Sequence, residues 1–189
     1  GIHAWRGAVR ELNWQTANAP IRTWLSAQPF ALSWTRAGDA HRVAVEALQL
    51  SAMGVPLRVQ DLSWQTQADV TRALAAQVVL EPFKVAQVLN QWQPQTGWGG
   101  DLTVSGRMDV AHSPEAPWRV QAQVAKVAGD LTLSEPSIEG NSMQRLGIDV
   151  ASLGLTSKDG LWVLTQVFEG SVLGRLSGRQ SIQVADRQR

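Results

Sequence analysis

In the stretch "GWGGDLTVSGRMDV", residues 97–110, apolar and polar positions alternate. Leu102, Val104, Met108 and Val110 fall on one side of a strand with Gly106 in their row, and Asp101, Thr103, Ser105, Arg107 and Asp109 fall on the other. The same period of two runs along much of the chain. Phe30, Leu32 and Trp34 alternate with Ala31, Ser33 and Thr35; Val43 and Val45 follow; then come Val55, Leu57 and Val59. The phase slips before Leu62 and Trp64, which predicts a β-bulge. Val70, Leu74, Val78 and Leu80 continue the pattern with Ala76 in their row and Arg72 as its exception. Further on, Trp118, Val120, Ala122 and Val124 alternate with Arg119, Gln121 and Gln123, and Leu131, Leu133, Leu146, Ile148 and Val150 keep the beat. Each segment reads as a half-buried strand. Residues 161–168, "LWVLTQVF", are apolar on both sides and give no phase.

The period changes once. In "EPFKVAQVLNQWQP", residues 81–94, Val85, Val88, Leu89 and Trp92 form an apolar stripe at helical spacing. Pro82 suits a first helical turn and Pro94 ends the segment, so one short α-helix is expected near residues 82–93. The expectation is a mainly β chain, with strands over 1–80 and 98–185 and a helix packed on a sheet between them.

Two echoes point to a repeated strand-and-turn unit. The frame Leu-x-Trp occurs at Leu12–Trp14, Leu32–Trp34 and Leu62–Trp64, the first and third inside the near-copies "RELNWQT" and "QDLSWQT". "GDLTVSG", residues 100–106, is echoed by "GDLTLSE", residues 129–135.

Composition removes several classes of function. Seventeen basic and sixteen acidic residues leave a charge of +1 with no block of one sign, which offers no footprint for nucleic acid. The absence of cysteine excludes disulfides and thiolate metal sites. His3, His41 and His112 are scattered, and Asp39 with His41 beside Gly38 reads as a solvated turn, so no metal and no cofactor are expected. No nucleophile elbow or phosphate loop occurs, and "GWGG" reads as a turn before a strand. A non-enzyme is expected. The chain begins with Gly1 and holds no run of ~18 apolar residues, so any anchor or export signal is expected outside it.

The passage from "LEPFKVAQVLNQWQPQTGWGGDLTVSGRMDV" through "WRVQAQVAKVAGDLTLSE", with the late "VFEGSVLGRLSGR", resembles the periplasmic region of the TamB and AsmA-like family of bridge-type proteins. The likeness covers roughly residues 80–185. The late phrase differs from the family's pattern in carrying Ser171 and Val172 between Gly170 and Leu173. The resemblance implies an elongated, curved sheet folded into an open apolar trough, a β-taco. It implies a single section, residues 1–189, of a larger inner-membrane-anchored protein lying in the periplasm. It further implies phospholipid as cargo, a TamA-like outer-membrane barrel as partner, and a role in outer-membrane protein assembly.

On that reading the acyl chains touch Phe30, Leu32, Trp34, Leu102, Val104, Met108, Val110, Trp118, Val120, Val124, Leu131 and Leu133, with the helix stripe gating the wall. About a dozen strands at roughly 4.8 Å would give a trough on the order of 60 Å, with further repeats flanking it. An Asp at Val104 or Val120 is then expected to abolish lipid binding and leave the fold intact. The main alternative is a closed β-sandwich serving as scaffold, adhesion or carbohydrate-binding module, in which the same residues form a dry core. An outer-membrane barrel is less suited, because most of the clear alternations are shorter than the ~9 to 11 residues its strands need.

Overall fold

A computed structural model describes residues 2–15, 23–68, 70–114, 116–137, 140–172 and 174–184. Thr16 in the first tryptophan echo and Leu173 in the late glycine phrase lie outside them, as do the side chains of Val70 and Arg72. In chain order the strands are β1 (Ile2–Val9), β2 (Leu12–Gln15), β3 (Thr23–Ala27), β4 (Phe30–Ala37), β5 (Ala40–Ala52), β6 (Val55–Gln67) and β7 (Val70–Lys84). Helix α1 (Val85–Trp92) and a 3-10 turn (Pro94–Thr96) lead to β8 (Trp98–Gly100), β9 (Thr103–Ser113), β10 (Ala116–Ala128), β11 (Leu131–Ser137) and β12 (Gly140–Arg145). The chain closes with β13 (Ile148–Lys158), β14 (Leu161–Gly170) and β15 (Gly174–Gln183).

Twelve of these strands make one antiparallel sheet. Its path runs β1-β4-β5-β6-β7-β9-β10-β13-β14-β15, with β3 pairing β5 and β2 pairing β3 beside it. Ten strands on the path span about 45 Å at the usual inter-strand spacing. The path ends at β1 and β15 without closing into a barrel, so the sheet is open. Most neighbours are joined by tight hairpins. Met53-Gly54 (φ 51° and 80°) and Asp159-Gly160 (φ 52° and 75°) carry the paired positive angles whose twist matches that of the flanking strands.

Five strand pairings contain register shifts, and these bend the sheet. The phase slip before Leu62 is one of them: the register jumps between Gln60 and Ser63, and Asp61 sits at φ 53°. Because of it Val45 and Leu48 on β5 are both buried while Glu46 and Ala47 between them are exposed. A second shift, between Ile148 and Val150, gives the same pattern on β13.

The corners explain the Gly-Asp-Leu echo. β8, β11 and β12 form a three-stranded flap in the order β12-β11-β8, which continues the strands β9, β10 and β13 past a bend. At each bend a glycine takes a left-handed angle: Gly100 at φ 92°, Gly129 at 77° and Gly147 at 62°. The bends stack so closely that a Cβ on Gly100 would stand 2.3 Å from the carbonyl oxygen of Asp130, and one on Gly129 would stand 2.2 Å from that of Asp101.

Asp130 ties the stack together. Its carboxylate accepts hydrogen bonds from the amides of Leu131 (2.9 Å), Ile148 (2.9 Å) and Gly147 (3.0 Å) and from Arg145 Nε (3.3 Å). Its carbonyl accepts from the amides of Asp101 and Leu102, both at 2.9 Å, and its own amide donates to Asp101 Oδ1 at 3.0 Å. The residue is 6% exposed. Burial acts to raise the carboxyl's pKa, but the amides of Ile148, Gly147 and Leu131 and the Arg145 guanidinium outweigh it, leaving the group below its ordinary value.

The flap and helix seal one core against the sheet, in which Ala86, Leu102, Val104, Leu131, Ile148 and Ala151 are buried with Phe83, Leu89, Trp98, Val124 and Phe168 around them. A smaller cluster, Val45, Leu48 and Val59, lies at the β5–β6 bend.

Several expectations need correction. The helix covers 85–92, not 82–93 or 81–94, because Pro82 lies in the irregular end of β7, where the register jumps between Leu80 and Phe83. The stripe is rotated as well: Ala86 is the buried position, Val85 and Leu89 pack on the core, Val88 is half-buried and Trp92 faces solvent. Residues 98–100 of the glycine run form strand β8 and not only a turn. Strands β5, β6, β7 and β10 run 13–15 residues, longer than their sequence alternations, because bulges hide the continuing period.

Candidate functional site

Directly opposite residues of an antiparallel pair share a face, so the register fixes which side chains form the wall. Gly7 stands opposite Leu32, Val9 opposite Phe30, Val45 opposite Leu62 and Leu48 opposite Val59. The face continues through Val78, Met108 and Ala122, then Leu155 and Leu164. A largely apolar surface therefore runs from β1 to β14, with Gln166 on it and Gln180 opposite Leu164 on β15. The opposite face carries Arg107, Asp109, Gln121 and Gln123, with Arg175 and Arg179 farther along. Shallow depressions of about 400 and 290 Å³ lie on this second face, lined among others by Arg107, Asp109 and Gln123 and by Gln77 and Arg119. Their mixed, shallow linings match a solvated surface.

The wall is covered unevenly. Phe30, Leu32, Trp34, Met108, Val110 and Val124 are half-buried on it and Trp118 is exposed. Val120 is buried on the same face. Leu102 and Val104 belong to the sealed core, and Leu131 and Leu133 stand on the flap β11 and not on the large sheet. Among the described residues no large side chain falls below 2% exposure. The accessible surface is 13031 Å², against roughly 8,900 Å² for a compact monomer of this mass. Lys126, opposite Val104, is the cation on this part of the wall, and its ammonium donates to the Ile148 carbonyl inside the bulge.

The edge of the wall nearest the β4–β5 and β6–β7 turns has an ordered chemistry. Trp5 stands opposite Trp34, Trp34 opposite Val43, Val43 opposite Trp64, Trp64 opposite Leu74 and Leu74 opposite His112. Trp118 stacks on His112 with centroids 4.7 Å apart. One step closer to the turns, His3 faces Arg36, Arg36 faces His41 and His41 faces Thr66. The indole of Trp5 lies over Gly7, where a Cβ would come within 2.0 Å of the ring. Trp5, Trp64 and Trp118 remain 55%, 40% and 43% exposed.

Sequence reading found Trp34, Trp64 and Trp118 but missed Trp5 and the alignment of all of them, because register between strands is not written in the spacing within one. It also left the histidines scattered, whereas His3 and His41 flank Arg36 in one row. Asp130 was missed too, although the Gly-Asp echo was its visible trace. Among the described residues no three potential metal ligands gather, and no helix is long and apolar enough to cross a membrane. Comparison with protein-family models, curated proteins and solved structures finds no match.

Proposed function

We propose that the chain is a non-catalytic section of a periplasmic bridge whose apolar wall shields the acyl chains of phospholipids, as the resemblance to the TamB and AsmA-like family suggests. The observation that carries this reading is the largely apolar face that crosses the strands from β1 to β14, left half-exposed on a sheet whose surface is about one and a half times that of a compact protein. A face of this kind is costly in water unless something apolar lies on it. Each acyl methylene transferred to it contributes about 0.8 kcal/mol, so two chains are held without specific polar contacts. A broad, half-exposed apolar wall lets such a ligand slide instead of trapping it. Flanking sections of the same design would lengthen the path, with the membrane anchor and the TamA-like barrel partner engaging regions beyond it. Assistance to outer-membrane protein assembly would use the same uncovered strands and face.

The test is native mass spectrometry of the protein expressed in bacteria and purified without detergent. Phospholipid is expected to accompany it. Protein that emerges free of lipid, and that takes none from vesicles, would sink the conduit.

A further inference from the structure

The wall is not uniform across its width, and the order of its rows matches the cross-section of a phospholipid. Starting from the β5–β6 bend and moving toward the turns, the side chains are purely hydrocarbon at Leu48 and Val59 and again at Val45 and Leu62. Next comes the row of Trp5, Trp34 and Trp64, and then the row of His3, Arg36 and His41. Indoles favour boundaries where one end meets hydrocarbon and the other meets water. The outer row contributes a guanidinium between two imidazoles, with no carboxylate standing in it. Arg36 Nε donates to the Gly38 carbonyl at 3.0 Å, which fixes the fork near the turn, and among the described residues the guanidinium makes no ion pair. His41 also packs against Trp34, with ring centroids 5.7 Å apart, so the two rows hold each other in place. A guanidinium with free donors flanked by imidazoles suits a tetrahedral oxyanion.

We propose that the Arg36 row seats the phosphate of a phospholipid whose acyl chains lie on the wall and whose glycerol region rests at the indoles of Trp5, Trp34 and Trp64. This inference rests on the lipid reading and adds a position and an orientation to it: the tails point toward the bend and the headgroup toward the β4–β5 and β6–β7 turns. It also separates holding from sliding, because Arg36 would hold the phosphate at its row while the tails follow the wall.

The experiment uses the whole chain. Protein is incubated with phosphatidylcholine vesicles containing equal small amounts of dioleoylphosphatidylglycerol and dioleoylglycerol, re-isolated, and its lipid quantified. The intact protein is expected to retain the two in a ratio of about ten to one, the size of one charge-assisted contact. Arg36→Gln, an exposed and fold-neutral change, is expected to bring that ratio near one while leaving dioleoylglycerol retention unchanged. Inorganic phosphate at millimolar concentration is expected not to displace the lipid. Phosphatidylglycerol brominated near the glycerol should quench the indoles more than lipid brominated at the chain ends. Equal retention of the two lipids by the intact protein, or an unaltered ratio in Arg36→Gln, would overturn the headgroup seat while leaving the apolar wall standing; retention of neither would overturn both. Displacement by phosphate would show a free-anion site in place of a lipid one and would equally overturn the proposal.

Discussion

Between β4 and β7 the strands reverse through short turns and leave their apolar side half-exposed. Between β9 and β13 three strands turn glycine corners and bring a second sheet back over the wall, alongside α1. The alternation of side chains is the same in both regions; what differs is whether a corner follows the strand. In the first region the buried residues are Val45, Leu48 and Val59 at a bend and Thr66 near the turns, and the rows of Trp34 and Arg36 lie beyond the bend. In the second, burial reaches Ala86, Leu102, Leu131 and Ile148, and a buried carboxylate holds the layers in register. Stability is thereby concentrated at one part of an open sheet, and the other part keeps its apolar wall uncovered.

The hardest blow to this division is Asp130→Ala. It strips the amides of Leu131, Gly147 and Ile148 of their acceptor in a buried corner, where each unpaired donor costs about 1–3 kcal/mol. A loss on the order of 4 kcal/mol is expected in urea unfolding. Hydrogen exchange should accelerate at β11 and β12 far more than at β5 and β6. The same group gives a pH signature. Its folded pKa lies below the ordinary value of 3.8, so its contribution is complete above that value and is lost as pH falls through the lower folded one. Stability of the intact protein should therefore drop more steeply in acid than that of Asp130→Ala. Equal acid sensitivity in the two would detach the carboxylate from the corner's stability.

Aspartate substitutions on the wall should split along the same line. Val104 is 8% exposed within the sealed core, so Val104→Asp buries a carboxylate whose opposite neighbour, Lys126, already donates to the Ile148 carbonyl, and should destabilise by about 3 kcal/mol or more. This reverses the expectation that a charge at Val104 leaves the fold intact, and buried Val120 carries the same correction. Leu153 stands on the same face at 40% exposure. Leu153→Asp should cost about 1 kcal/mol, within the range of strand propensities, yet lower lipid retention. Circular dichroism melts with lipid mass analysis on both variants check the contrast, and unfolding of Leu153→Asp would show the wall to be a core.

Much of the fold was legible because a strand with one covered face must alternate, and the runs around Phe30, Val104 and Val120 do so without interruption. The bulge at Asp61 was legible as a phase slip. The flap was not: Leu131 and Leu133 keep the same alternation as the strands of the large sheet, and only the left-handed angle at Gly129 turns them away. The helix start was misplaced because Pro82 suits a first helical turn and an irregular strand end equally well. The candidate site was legible as a face and illegible as a pattern across it. Trp5, Trp34 and Trp64 belong to strands whose relative register is set by turns and bulges, and no single segment records their alignment.

The mildest change compares two glycines. Gly38 in the β4–β5 turn has φ 61° with open space where a Cβ would point, whereas Gly129 in the corner has φ 77° with the carbonyl of Asp101 at 2.2 Å from that position. Alanine at residue 38 meets only the left-handed penalty, roughly 1 kcal/mol, and part of that is returned by a stiffer unfolded chain. Alanine at residue 129 meets the same penalty and must also push apart two backbones joined by the Asp101–Asp130 hydrogen bonds. Gly38→Ala should therefore lower the denaturation midpoint slightly, with lipid retention and the slope of the transition unchanged. Gly129→Ala should lower it several times more. If the two were equal, the corner would be yielding freely, and the rigid stack that seals one half of the sheet could not be what separates it from the open half.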